Sequence, residues 1–467
     1  MRSQLVSRTR TNSTLSLQAF KGERLFFKIY FLGFSMKKFQ FLIILMMGLA
    51  AFSSHAAVNI EHWQTSSGSR VYFVENHDLP IVDINVGFSA GGARNTSETA
   101  GLAGVTLHMM SLGAAGMNEE EITNAFADIG AEKGGSLDAD QASLSLRTLT
   151  SEKTKALSVL NKILHQPDFP QAVLDREKAR IIAGLQEDET QPESIVNKAF
   201  MKALYGKHPY GLSDSGEVKT IQAIKREDLQ AFYQQYYSAK STVIALIGDV
   251  SKVEAQDIAE KISAGLPQTP AVGALIKVSL PTAANQQKIA HPASQAHILL
   301  GYPGIKRADA DYFPLYVGNY ILGGGGFVSR LTEEVREKRG LVYSVYSYFM
   351  PMSEQGPFQL GLQTKKEQAG EALDVVNETL VNYMKNGVTE AELTAAKSNI
   401  TGGFPMRIDS NKKILGYLSM IGFYQLPLTY LDDFNQQVNK VTAVQIKDAF
   451  NRRLKLNDFV SVIVGAQ

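Results

Sequence analysis

The chain has 467 residues, 38 Gly, 15 Pro, 44% apolar and 20% charged residues and no Cys, which is room for about two to four domains with real cores. The ordinary apolar fraction and mixed charge exclude collagenous, low-complexity and disordered chains, and the missing Cys excludes disulfide scaffolds, thiolate zinc sites and a Cys nucleophile. A formal charge of +1 hides a split: residues 1–56 hold eight Lys/Arg against Glu23 alone, so the remainder carries 39 bases against 45 acids, a net of −6 that argues against nucleic acid as the main partner.

Met36-Lys37-Lys38 precedes a 12-residue apolar run, Phe41 to Phe52, and then Ser53-Ser54-His55-Ala56-Ala57. A basic start, a short apolar run and small residues before Ala57 predict a secretory signal peptide cleaved after Ala56, with Met36 as the start and residues 1–35 as an upstream extension. Twelve apolar residues are too few to cross about 30 Å of hydrocarbon, so no stable membrane span is expected after cleavage. The expected location is the bacterial periplasm.

Beyond Ala57, Val71–Val74 and Ile81–Phe88 alternate as strands. Ala100–Ser111 reads as a helix, and Glu119–Ile129 as another, capped by Asn118 with three acids in its first turn. Ala142–Leu149 is a strand by its period of two. The chain then repeats itself. Shifted by 217 residues, Ile224, Leu229, Tyr233, Val243, Leu246, Ile247 and Gly248 fall on Val441, Ile446, Phe450, Val460, Ile463, Val464 and Gly465. Strands and helices intermix without a βαβ rhythm, which predicts two homologous α+β domains, each a largely antiparallel sheet packed with helices. The expected boundaries are 57–266, a Pro-containing linker at 267–290, and 291–467.

Two segments carry chemistry. The first is Gly101-Leu102-Ala103-Gly104-Val105-Thr106-Leu107-His108, after the turn Ala90-Gly91-Gly92. The second runs from Ile321-Leu322-Gly323-Gly324-Gly325-Gly326-Phe327 through Arg336 and Gly340 to the Tyr-rich strand at Tyr343–Tyr348. It lacks the Lys-Ser/Thr ending of a P-loop. By spacing alone, Arg336 and Tyr343 could be a solvated helix Arg and a strand Tyr packed on the sheet.

Together these segments strongly resemble the insulinase/pitrilysin family of inverted zincins over about Ile60–Gln467. That family carries H-x-x-E-H on a helix, two His ligands with Glu as the base for a zinc-bound water. In this chain the first His falls on Gly104, the Glu on Leu107 and the second His on His108. The third ligand, flanked by Glu177 and Pro192, falls on Gly184, or on Leu185 when counted strictly from the second His, and neither side chain can bind a metal. One His cannot hold zinc, since such sites need three or four protein ligands; the other His of the mature chain, His62, His77, His165, His208, His291 and His297, lack ligand spacing. No metal is therefore expected in this chain.

The resemblance further implies that Arg336 and Tyr343 reach a zinc-bound substrate across a chamber and stabilise an oxyanion, with Gly323, Gly324, Gly325 and Gly326 lying along the substrate. Some family members are two-chain enzymes in which one chain holds zinc and the other holds Arg and Tyr. The resemblance places this chain with the second kind, beside a homologous zinc-binding subunit that acts on extended peptides. A catalytically inactive peptide-binding or scaffold protein is the alternative.

Overall fold

The computed structural model describes residues 58–465, so the reading of Met36 and Ala56 lies outside the described residues. Two large sheets carry the fold. The first contains β1 (Glu61–Gln64), β2 (Arg70–Glu75), β3 (Ile81–Phe88), β4 (Glu132–Leu137), β5 (Ala142–Leu149) and β6 (Val243–Gly248), in the order β1-β2-β6-β3-β5-β4. The second contains β7 (Asn285–Ile289), β8 (Gln295–Pro303), β9 (Val342–Phe349), β10 (Pro357–Lys365) and β11 (Val460–Val464), in the order β9-β10-β8-β11-β7. Leaving out β1, both sheets run through their strands in the same sequence order. Each has one parallel pair, β2 with β6 and β7 with β11, among antiparallel neighbours. The class is α+β, two sheets each packed with helices.

The repeat reaches single residues. Gly248 and Gly465 end equivalent strands at positive φ, and a Cβ on either would overlap a backbone carbonyl, of Ile81 and of Gln295. Asn118 caps the helix Glu119–Ala127 in a reciprocal box with Glu121, as the acid-rich first turn predicts. The segment 267–290 differs from a plain linker. Its last part is β7, whose polar sequence Asn-Gln-Gln-Lys-Ile hides a strand that exists through backbone pairing to β11.

Two further helices lock the halves together. Helix α1 (Leu102–Met110) and helix α2 (Glu119–Ala127) belong to the first sheet, as does α3 (Gln171–Asp188). Helix α4 (Pro192–Tyr205) crosses over. Its buried stripe of Val196, Phe200, Leu204 and Tyr205 packs with Leu299, Val460, Val462 and Val464 of the second sheet. In return, α5 (Asn411–Tyr424) buries Ile414, Leu415, Leu418 and Ile421 in a core shared with Tyr72, Val243, Ala245 and Ile247 of the first sheet. Both helices have 14 residues and start 219 apart (411 − 192), so they are the repeat's own equivalents, exchanged between the halves. At about 1.5–3 kcal/mol per large buried side chain, each exchanged stripe contributes as much as a small core. Among the described residues, no helix is long and apolar enough to cross a membrane.

Candidate functional site

Helix α1 is apolar nearly all round, with Leu102, Ala103, Val105, Leu107, Met109 and Met110 buried. Its start is held by Asn95, whose side-chain oxygen accepts from the Ala103 amide at 3.1 Å. Gly104 and His108, one turn apart, share the partly open face, while Leu107 points into the core. His108 Nε2 lies 2.9 Å from Glu177 Oε2 on α3 and 3.2 Å from Arg180 Nη2. Glu177 also accepts from Arg180 Nε at 2.8 Å and Arg176 Nε at 3.0 Å. Burial would raise this carboxyl, but the bonds from His108, Arg180 and Arg176 outweigh it and hold it at about 2.

These residues do not fit a zinc ion. Gly104, Leu107 and Gly184 offer no donor atom, and a Cβ added at Gly184 would meet nothing within 4 Å. His108 is engaged by a carboxylate already neutralised by two guanidinium groups, and the Arg180 cation stands beside its ring. Among the described residues no three His, Asp or Glu side chains are arranged to hold a metal. Sequence reasoning used Glu177 only as a flank and missed Arg180. The Glu177–Arg180 spacing of three on one helix was the available sign.

The second segment is more irregular than a plain helix. Tyr312–Asn319 is α-helical and then widens into a π turn over Tyr320–Gly324. A short turn at Gly326–Val328 and a second π-helical stretch, Thr332–Glu337, follow. Such wide turns concentrate at functional sites. The coil is pinned to β9 by a buried pair: Asn319 Nδ2 donates to the Ser347 carbonyl at 2.9 Å, and Ser347 Oγ donates to Asn319 Oδ1 at 2.7 Å. Gly323 is buried where a Cβ would strike Ser347. Gly324, Gly325 and Gly326 lie nearer the surface, and Gly326 turns the chain at φ +62°.

Arg336 and Tyr343 are brought together. Val342 faces Thr364 and Ser344 faces Gln363, so Tyr343 is the extra residue of a β-bulge on the open edge of the second sheet. A bulge re-aims its side chain, and Tyr343 is 80% exposed. The Arg336 guanidinium carbon stands 5.4 Å from the Tyr343 ring centre. The carboxylate beside Arg336 is that of Glu337, at 3.6 Å. Chemically, the pair presents a cation and a phenol O–H on one exposed face.

Residues 70–216 match the insulinase (peptidase family M16) family, and residues 223–400 match the peptidase M16 inactive domain. The chain belongs to the M16 insulinase family. Its M16 relatives divide in name. A Bacillus subtilis protein called an uncharacterized zinc protease is 26% identical over 409 residues, covering 87% of this chain and 98% of its own. A Helicobacter pylori protein called a non-peptidase homolog is 27% identical over 437 residues, covering 91% and 98%. Among solved structures, a peptidase M16 inactive domain from Pseudomonas fluorescens is 39% identical with a TM-score of 0.85, covering 88% of this chain and 98% of that one. The periplasmic protease PqqL from Escherichia coli shares the fold at 14% identity and a TM-score of 0.75, with 88% of this chain lying on 46% of its length.

Proposed function

We propose that this M16 chain is the non-zinc subunit of an exported two-chain metalloendopeptidase. The observation that carries the reading is the contrast between its two sites. Where two of the family's zinc ligands and its base fall, Gly104, Gly184 and Leu107 have no donor atoms, and Arg180 supplies a cation beside His108. At the other site, the half-buried Arg336 and the exposed, bulged Tyr343 remain side by side. A homologous partner would hold the zinc, and the two chains would enclose a chamber for extended peptides. The domain limits of 57–266 and 291–467 go with this reading, as do export to the periplasm and a leader ending at Ala56.

In the assembled enzyme, Arg336 would hold a substrate carbonyl with its N–H groups, and the Tyr343 O–H would donate to the oxygen that gains charge during attack on the peptide bond. Gly324–Gly326 would let the substrate backbone pass close to the turn. The test is reconstitution with a homologous chain that has an intact H-x-x-E-H, followed by kinetics on a quenched peptide. Arg336→Ala and Tyr343→Phe should each lower kcat by about 10²–10³-fold, the usual loss for one such donor, with assembly unchanged by size-exclusion chromatography. Unchanged kinetics in both variants would remove the catalytic role. The name of the Helicobacter pylori relative favours a second reading, a peptide-binding scaffold without hydrolysis; peptide binding without cleavage in every pairing would support it.

A further inference from the structure

The Arg336 guanidinium has a second aromatic neighbour that the family reading does not use. Its central carbon lies 4.9 Å from the ring centre of Phe327, closer than the 5.4 Å to Tyr343. Phe327 is 73% exposed and Val328 beside it 75%. A lone exposed Phe needs no explanation. This one is placed by structure on both sides: Gly326 turns the chain at φ +62°, and Ser329 anchors the turn by donating its hydroxyl to the Gly326 carbonyl at 2.7 Å. Ser329 Oγ also lies 3.1 Å from Thr332 Oγ1, within hydrogen-bond reach, tying the turn to the coil that carries Arg336.

We infer that Phe327 is a positioning residue: its ring holds the Arg336 guanidinium in the orientation from which it meets substrate. The inference rests on the catalytic reading of Arg336 given above. A long Arg side chain loses much rotamer freedom when it is fixed, and a ring face removes part of that freedom before substrate arrives. Stacking uses the π face of the guanidinium and leaves its in-plane N–H groups for carbonyl oxygens. Two rings from separate segments, the Gly-rich turn and the β-bulge, define the position better than one. The contact also explains why a large apolar side chain sits at the tip of a glycine turn. Glu337, at 3.6 Å and on the same coil, is too weak a tether to do this alone.

Two measurements test the role. In the isolated chain, the Arg336 Nε–H resonance, assigned by its loss in Arg336→Lys, should carry a ring-current shift that Phe327→Leu reduces and Phe327→Tyr restores. In the reconstituted two-chain enzyme, Phe327→Leu should lower kcat by about 3–30-fold, the range for one cation–π contact from exposed to desolvated. KM should change little, and Phe327→Tyr should recover most of the rate. An Arg336 resonance unmoved by Phe327→Leu overturns the inference. So does an unchanged kcat in Phe327→Leu while Arg336→Ala is impaired. If Arg336→Ala itself keeps full kcat, the catalytic reading has failed and the positioning role falls with it.

Discussion

Asp140 and Tyr424 are 284 residues apart, yet the Tyr424 hydroxyl donates to Asp140 Oδ2 at 2.9 Å. The same carboxylate accepts from the Tyr210 hydroxyl at 2.6 Å and from the Ser353 amide at 2.7 Å. Tyr424 is the last residue of the exchanged helix α5, and Ser353 lies in the hairpin between β9 and β10. One buried carboxylate thus joins both halves at the end of the helix that binds them.

This junction should be measurable. Tyr424→Phe removes one bond and should cost about 1–2 kcal/mol in urea unfolding. Asp140→Ala leaves two hydroxyls and an amide without their acceptor and should cost about 3 kcal/mol or more. Equal and small losses for both variants would mean that the node is solvated and not structural.

The helix exchange predicts that neither half folds alone. A fragment of residues 58–270 would expose Phe200 and Leu204 on α4 and leave the Tyr72–Val243 face without α5. It should show strand and helix by far-ultraviolet circular dichroism but no cooperative thermal transition. Adding the complementary fragment should restore one. Cooperative melting of either fragment by itself would contradict the interlocked core.

Gly184 occupies the interior of α3 with nothing near its missing side chain. Gly184→Ala should therefore raise stability by about 0.5–1 kcal/mol, the helix penalty of glycine, without touching a neighbour. Calorimetry of the two proteins decides it. A loss of stability would show that space beside α3 is used in a way these contacts do not reveal.

Part of the protein's acid sensitivity should come from Glu392. Hydrogen bonds from Arg330 at 2.6 and 2.7 Å hold its carboxyl down, against partial burial, at about 2. A carboxyl depressed on folding adds stability that is complete above its unfolded value of about 4.3 and is lost as pH falls through the folded value. The stability difference between wild type and Glu392→Gln should be near its maximum at pH 7 and shrink by about 1–2 kcal/mol towards pH 2, allowing for solvent screening. A pH-independent difference would rule this out.

The sequence by itself determined what depends on neighbours along the chain. Period-two alternation marked β3 and β5, the acid-rich turn after Asn118 marked its helix, and the repeat announced two like halves. The absence of donor atoms at Gly104, Leu107 and Gly184 was equally legible, because a side chain either carries a ligand atom or does not. Tertiary structure alone decided which half each helix covers, since α4 and α5 have apolar stripes that would suit either sheet. It also decided that Asn285–Ile289 is a strand, because a polar edge strand is held by its partner's backbone and not by its own pattern. The bulge at Tyr343 was hidden for a related reason. An extra residue exists only relative to the strand opposite, so no inspection of β9 alone reveals that Tyr343 turns outward to meet Arg336. Non-local pairing leaves no period in the chain, and the face that Arg336 and Tyr343 share is built from such pairing.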